Sequence, residues 1–255
     1  MTTNINDLID RILAKLPPGM VDDIMDDIER DQPAVWVRNG WVSMYHDNGA
    51  KPLVVGNVCY KFTDKLDASV AQRIITQIDA LAAEFAKTRL VLMDEDLGQV
   101  GYAHSQTPDA GQTTIITVNN AVGNGKQWDD LIREDLVQKF HPPGFDARGG
   151  VEGVLTHEFG HVLGFKVGIS GAVLQAGRVV RKWIPLEGNI SVDLSKYAGA
   201  SPQETVAEAF VEAHNAPNPR PYALAIYRQL VDAYNAGTRF DAGNSLEVDP
   251  ESMKL

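Results

Sequence analysis

The sequence predicts an α+β fold, on three observations. Runs rich in β-branched and aromatic residues occur at 34–62, 89–93 and 113–120; amphipathic helical periods occupy 67–87 and 128–140; and two helix-like segments, one apolar around 151–165 and one at 201–215, close the pattern. At 255 residues and 44% apolar composition the chain can bury a full core. The expected organisation is an N-terminal helical and β-hairpin region over 1–62, followed by the main domain over 63–255.

In chain order, residues 4–30 read as two short helices broken by Pro17-Pro18-Gly19. The acidic face of the second, with Asp22, Asp23, Asp26 and Asp27, lacks the glycine and ligand spacing of a calcium loop and reads as solvated. Asn39-Gly40 sits between two strand-like runs and suits a type I′ hairpin. KPLVVGNVCYKF, 51–62, continues the β region with Gly56-Asn57 as a turn, and Trp36, Trp41, Tyr45 and Tyr60 read as core or cross-strand partners. Asp67 is an N-cap residue for a helix to about Lys87, with Val70, Ile74, Ile78, Leu81 and Phe85 on its buried side. RLVLM (89–93) reads as a buried strand, 94–111 as loop, TTIITVNN (113–120) as a second strand, and 128–140 as an amphipathic helix stopped by Pro142-Pro143-Gly144.

A net charge of −11, from 34 acidic against 23 basic residues, argues against nucleic acid as a partner. Cys59 is the only cysteine, so no intramolecular disulfide can form, and a small core residue is the expectation. The first residues lack a basic stretch followed by an apolar run, and no stretch approaches the roughly 18 apolar residues of a membrane helix. No membrane partner is expected, and the expected location is cytoplasmic at synthesis, with leaderless export left open. The oligomeric state is not legible.

THEFGHVLGF, 156–165, carries the chemistry. His157 and His161 are four apart, so on a helix both imidazoles reach one ion, and Glu158 projects along the edge of the same face. This is the H-E-x-x-H arrangement, in which two histidines bind zinc and the glutamate is the general base. Val151, Val154, Leu155, Phe159, Val162 and Leu163 surround these groups, and burial among them is costly unless the groups are paired or metal-bound. Gly160 allows a close approach, and Gly164 is placed to end the helix. Zinc needs a third protein ligand. A histidine six residues after His161 is ruled out by Val167, whereas 201–215 offers Glu204, Glu208 and Glu212 at successive i, i+4 positions. Ser201-Pro202-Gln203-Glu204 is also a capping box, and spacing alone does not decide between cap and ligand. His214 reads as peripheral, and His46, His104 and His141 as surface histidines of turns or loops.

HEFGH at 157–161 followed by ETVAEAF at 204–210 resembles the zinc peptidase domain of anthrax lethal factor and the related Pro-Pro endopeptidases, a gluzincin branch, over about residues 150–215. The resemblance implies a zincin-like domain with a small mixed sheet, a motif helix and a C-terminal ligand helix. It also implies one Zn²⁺ per chain on His157, His161 and Glu204. Glu158 is then the general base, Glu208 the support behind a ligand histidine, and Tyr197 an oxyanion-stabilising residue. A protein or peptide substrate is implied as well, extended along an edge strand that this architecture puts at 113–120. Two rival functions remain: a catalytically silent binding or assembly component, and a zinc hydrolase acting on a non-peptide substrate.

Overall fold

The computed structural model describes residues 50–98, 101–107, 113–167 and 190–237. The expected N-terminal helices and Asn39-Gly40 hairpin lie outside them, as do His46 and three of the four aromatic residues of that region. The chain forms two compact units, one of residues 1–47 with 54–56 and one of residues 48–53 with 57–255; the second carries both sequence motifs, 157–161 and 204–210.

The described architecture is mixed α/β, with five strands and six α-helices. β1 (Leu53–Val55) and β2 (Val58–Lys61) flank the expected turn, where Gly56 takes a φ of +55°. β3 is Arg89–Glu95, β4 Ala103–Gln106 and β5 Thr113–Asn119. Across the last four the order is β2-β3-β5-β4, with β2, β3 and β5 parallel and β4 antiparallel to β5. β3 buries five consecutive residues, as a strand covered on both faces must. Two expectations change here. The stretch 94–111 is not all loop, because it contains β4, whose Ala-His-Ser-Gln sequence has no β-branched or large apolar residue to announce it. And β5 is not an edge strand: β4 lies outside it, and among the described residues β4 pairs with β5 alone.

Helix α1 (Ala68–Glu84) begins as expected, with the Asp67 carboxylate accepting from the backbone N–H groups of Ser69 and Val70. It ends at Glu84, short of Lys87, where Phe85 leaves helical geometry. Val70, Ile74, Ile78, Leu81 and Phe85 are all buried. Helix α2 (Gly125–Val137) starts three residues before the expected Trp128, since Asn124 and Gln127 form a capping box. It stops before Phe140, because Lys139 turns into the left-handed region at φ +57°. Helices α3 (Gly150–Lys166), α4 (Ile190–Asp193), α5 (Pro202–Asn215) and α6 (Pro221–Ala236) complete the set. Cys59 is fully buried, as a core residue would be. No described helix is long and apolar enough to cross a membrane.

α3 is the central element, buried on almost every side. Its core contacts include the Phe159 ring, 5.6 Å from that of Phe85, which in turn lies 6.0 Å from Phe210 of α5. A three-helix ion cluster sets its N-terminal end. Arg73 of α1 bonds both carboxylate oxygens of Glu152, at 2.8 and 2.5 Å, and both of Asp129 of α2, at 3.2 and 2.8 Å. Asp129 in turn accepts the Gly150 backbone N–H at 2.8 Å, completing the cap that Gly149 has no side chain to make. Gly164 does not end the helix, which runs on to Lys166 because the apolar neighbours Leu163 and Val167 keep it buried.

Gly153 admits the loop before α3. A Cβ there would sit 2.1 Å from the Phe145 carbonyl oxygen and 2.6 Å from its ring. Helix propensity alone would make Gly153→Ala stabilising by about 1 kcal/mol, but overpacking against backbone costs about 1–3 kcal/mol or more. Gly153→Ala is therefore expected to lower the urea unfolding midpoint; a raised midpoint would show that the Phe145 loop yields freely.

Candidate metal centre

His157 and His161 lie one turn apart on α3, and Glu204 lies in the first turn of α5. The two helices come together at Gly160, where a Cβ would be 2.9 Å from Ala207 Cα and 3.1 Å from Phe210 Cβ. This is the close approach expected of Gly160. It brings Glu204 Oε2 to 3.0 Å from His157 Nε2 and 3.2 Å from His161 Nε2, with the two ring nitrogens 3.2 Å apart. The three atoms form a nearly equilateral triangle, and the group could hold a metal ion. Buried Glu204 Oε2 makes no hydrogen bond despite its two close nitrogens. Three lone-pair donors converging on one point is an arrangement that a cation stabilises.

Of the two readings of this helix start, the cap falls to the Ser201 side chain and leaves the Glu204 carboxylate free of it. The Ser201 hydroxyl accepts the Glu204 backbone N–H at 3.2 Å, while the Glu204 side chain turns toward the histidines rather than back to the cap. The successive glutamates of α5 separate likewise. Glu208, fully buried, places Oε1 2.8 Å from His157 Nδ1. Glu212 is held by Arg220 through its backbone N–H at 2.8 Å and its guanidinium Nε at 2.7 Å. His214 faces away, with Nε2 3.1 Å from Glu84 Oε2.

His141 corrects the sequence reading, which puts it at the surface. It is buried, with Nδ1 3.1 Å from Glu208 Oε1 and its ring stacked on Phe145 at a centroid distance of 3.9 Å. The partner lies 67 residues away in sequence, so no local spacing announces the pairing. Ser195 also escapes sequence reasoning, since no motif links it to α5: its hydroxyl donates to Glu208 Oε2 at 2.8 Å and accepts the Ala198 backbone N–H at 3.0 Å. His104 is exposed as expected, although it stands on β4 rather than in a loop.

Tyr197 opens a short 3₁₀ turn, Tyr197–Gly199. Backbone bonds from Lys196 N to Lys139 O and from Tyr197 N to Phe140 O, both 3.0 Å, fasten that turn to the segment after α2. The Tyr197 ring stacks on Phe140 at 5.2 Å and lies 5.6 Å from the ring of His157. Together with Glu158, these residues line a cleft of about 730 Å³ that also reaches Ala103 and His104 of β4. Glu158 is buried, its Oε2 has no hydrogen-bond partner, and it is not part of the ligand triangle.

Electrostatics reflect this crowding. Burial pulls the His157 imidazole down, but the Glu204 and Glu208 carboxylates beside its two nitrogens prevail and push it up to about 10. Burial raises the Glu204 carboxyl, yet His157 and His161 hold it well below the usual carboxylate range. Burial, reinforced by the charges of Glu204, Glu158 and Glu208, pushes the Tyr197 phenol up to about 12, so at neutral pH it keeps its proton.

Comparison of the chain with protein-family models, curated proteins and solved structures found no match.

Metal binding should depend on pH and on Glu208. A cation on His157 Nε2 displaces a proton that the metal-free site holds up to about pH 10. Affinity should therefore rise with pH, by about tenfold per unit between 7 and 9 for this one proton, and fall in acid; competition titrations with a chelating dye measure the slope, and a flat profile would contradict a protonated His157. Glu208→Ala should weaken binding about 10- to 100-fold while leaving all three ligands in place, read by the same titration.

Proposed function

We propose that this chain is a zinc-dependent endopeptidase with a zincin-like domain, binding one Zn²⁺ through His157, His161 and Glu204. The observation that carries the reading is the ligand triangle beside a buried, unpartnered Glu158 carboxylate on the wall of a cleft. Two imidazoles and one carboxylate are a common zinc-hydrolase donor set, and it leaves a fourth position open. Tetrahedral zinc with bonds of about 2.0–2.1 Å spaces its donors by about 3.3 Å, close to the 3.0–3.2 Å sides found here.

When bound, zinc supplies Lewis acidity toward a water and toward the scissile carbonyl. The chain's own groups do the rest. Glu158 Oε2, free of other bonds, takes the proton of the attacking water and passes it to the departing amine nitrogen. Tyr197 keeps its phenolic proton at neutral pH and donates that O–H to the oxygen on which charge develops. The Glu208 carboxylate, with Oε1 2.8 Å from His157 Nδ1, favours the ring proton on that nitrogen and so leaves Nε2 as the metal-facing lone pair. β4, with Ala103 and His104 on the cleft, is the strand edge along which an extended peptide adds by backbone hydrogen bonds, in place of the 113–120 strand expected from the sequence. A carboxylate aimed at the cleft has no use in a purely structural metal site, and this favours catalysis over a silent binding role.

Glu158→Gln is expected to retain about one zinc per chain by elemental analysis and to lose about 10²–10⁴-fold in kcat on a degenerate peptide library. Tyr197→Phe should lower kcat by about 10²–10³ with little change in KM. A zinc-loaded wild-type chain that cleaves nothing in the library would overturn the peptidase reading.

A further inference from the structure

Ser195 is buried two residues before Tyr197, and its hydroxyl makes two bonds of opposite sense. A backbone N–H can only donate, so the hydroxyl oxygen accepts from Ala198 N at 3.0 Å, and its own proton is left for Glu208 Oε2 at 2.8 Å. Tyr197 lies between Ser195 and Ala198 in the chain. One side chain thus closes the backbone over Tyr197 and ties it to α5.

The other restraints on this turn are of a different kind. Lys196 N and Tyr197 N donate to the Lys139 and Phe140 carbonyls, backbone bonds that ask nothing of the side chains. Arg220 donates to the carbonyls of Asp193 and Leu194, ahead of the turn. The Thr205 hydroxyl donates to Ala198 O at 2.7 Å and to Ser201 O at 3.2 Å, so it holds the turn without reaching Glu208. Among the described residues, Ser195 alone gives the turn a hydrogen bond to Glu208. The other oxygen of that carboxylate is 2.8 Å from His157 Nδ1, and the Tyr197 ring lies 5.6 Å from the His157 ring. Contacts from Ser195 therefore reach His157 by two routes, one through Glu208 and one through Tyr197.

We propose that Ser195 is a positioning residue of the candidate peptidase site, whose hydroxyl sets the Tyr197 turn and the Glu208 carboxylate in register and so fixes where the Tyr197 O–H stands relative to the His157 ring. The proposal deepens the peptidase reading and rests on it for the effect on turnover. Ser195 touches no substrate in this scheme and moves no proton. Without its hydroxyl, the buried Ala198 N–H and Glu208 Oε2 each lose a partner, and the turn is free to shift.

The test is a double-mutant cycle on the zinc-loaded full chain, read on peptides that the wild type cleaves from a degenerate library. Ser195→Ala is expected to lower kcat by about 10- to 100-fold while KM changes by less than about threefold and zinc content is unchanged. In a Tyr197→Phe background the same substitution should lower kcat by less than about threefold, because the hydroxyl it positions is already gone. Losses that multiply, an unchanged kcat, or a raised KM at unchanged kcat would overturn the positioning role and leave the peptidase reading intact. Should Ser195→Ala fail to fold, Ser195→Cys, with a similar volume and a weaker donor, takes its place in the cycle. If the wild type cleaves nothing, the peptidase reading fails, and the positioning is decided by NMR of the same chain with labelled tyrosine rings. The Tyr197 resonances, displaced by the Phe140 and His157 rings beside it, should move toward those of an exposed tyrosine in Ser195→Ala, while those of Tyr234, 5.7 Å from Phe85 in the core, stay in place. Tyr197 resonances that stay, or that move only together with those of Tyr234, overturn it.

Discussion

The carboxylate of Glu208 is fully buried, and three separate parts of the chain are organised around its two oxygens. Oε1 faces the Nδ1 atoms of His157 and His141, and Oε2 accepts the Ser195 hydroxyl. A charge out of water is costly unless it is paired and hydrogen-bonded, and the fold supplies two hydrogen bonds, from His141 and Ser195, and an ion-pair contact with His157. The motif helix, the segment after α2 and the turn that carries Tyr197 thereby share one point of reference. Burial raises the Glu208 carboxyl, but His141 and His157 hold it below its ordinary range, so at neutral pH it faces both rings as an anion.

Around that point, two arginines and one glycine set the larger distances. Arg73 clamps α1, α2 and the start of α3 through Asp129 and Glu152. Arg220 bonds Glu212 near the end of α5 and also donates to the backbone carbonyls of Asp193 and Leu194, just ahead of Ser195. Both are guanidinium forks meeting a carboxylate, the geometry that binds with most directional control. Gly160 then decides how near α3 and α5 lie, and so whether Glu204 reaches the histidines. The geometry of the triangle thus depends on groups that lie outside it.

Much of the helical framework is legible in the sequence, because local rules govern it. The Asp67 cap, the buried stripe from Val70 to Phe85, the Gly56 turn and the burial of the 151–163 segment all come from periodicity and backbone preference. Sequence and structure part where tertiary contact outweighs local preference. β4 has a sequence that does not favour strand and exists because β5 offers it a ladder. α3 passes through Gly164 because burial on all sides favours continuing the helix. Lys139, in the left-handed region without being glycine, ends α2 early and swings Phe140 and His141 toward Tyr197.

The same division runs through the candidate site. From the sequence by itself came the pair His157 and His161 on one helical face with Glu158 beside them, since a spacing of four residues on a helix is a statement about geometry. It also narrowed the candidates for a third ligand to a short series of glutamates one turn apart. Which glutamate meets both motif histidines, which lies behind one ring and which meets an arginine was decided by the α3–α5 contact at Gly160, because side chains a turn apart on α5 meet different neighbours. His141 and Ser195 were decided by tertiary structure too. Both depend on Glu208, on another element, 67 residues from the first and 13 from the second, and a single sequence carries no record of which residues folding brings together.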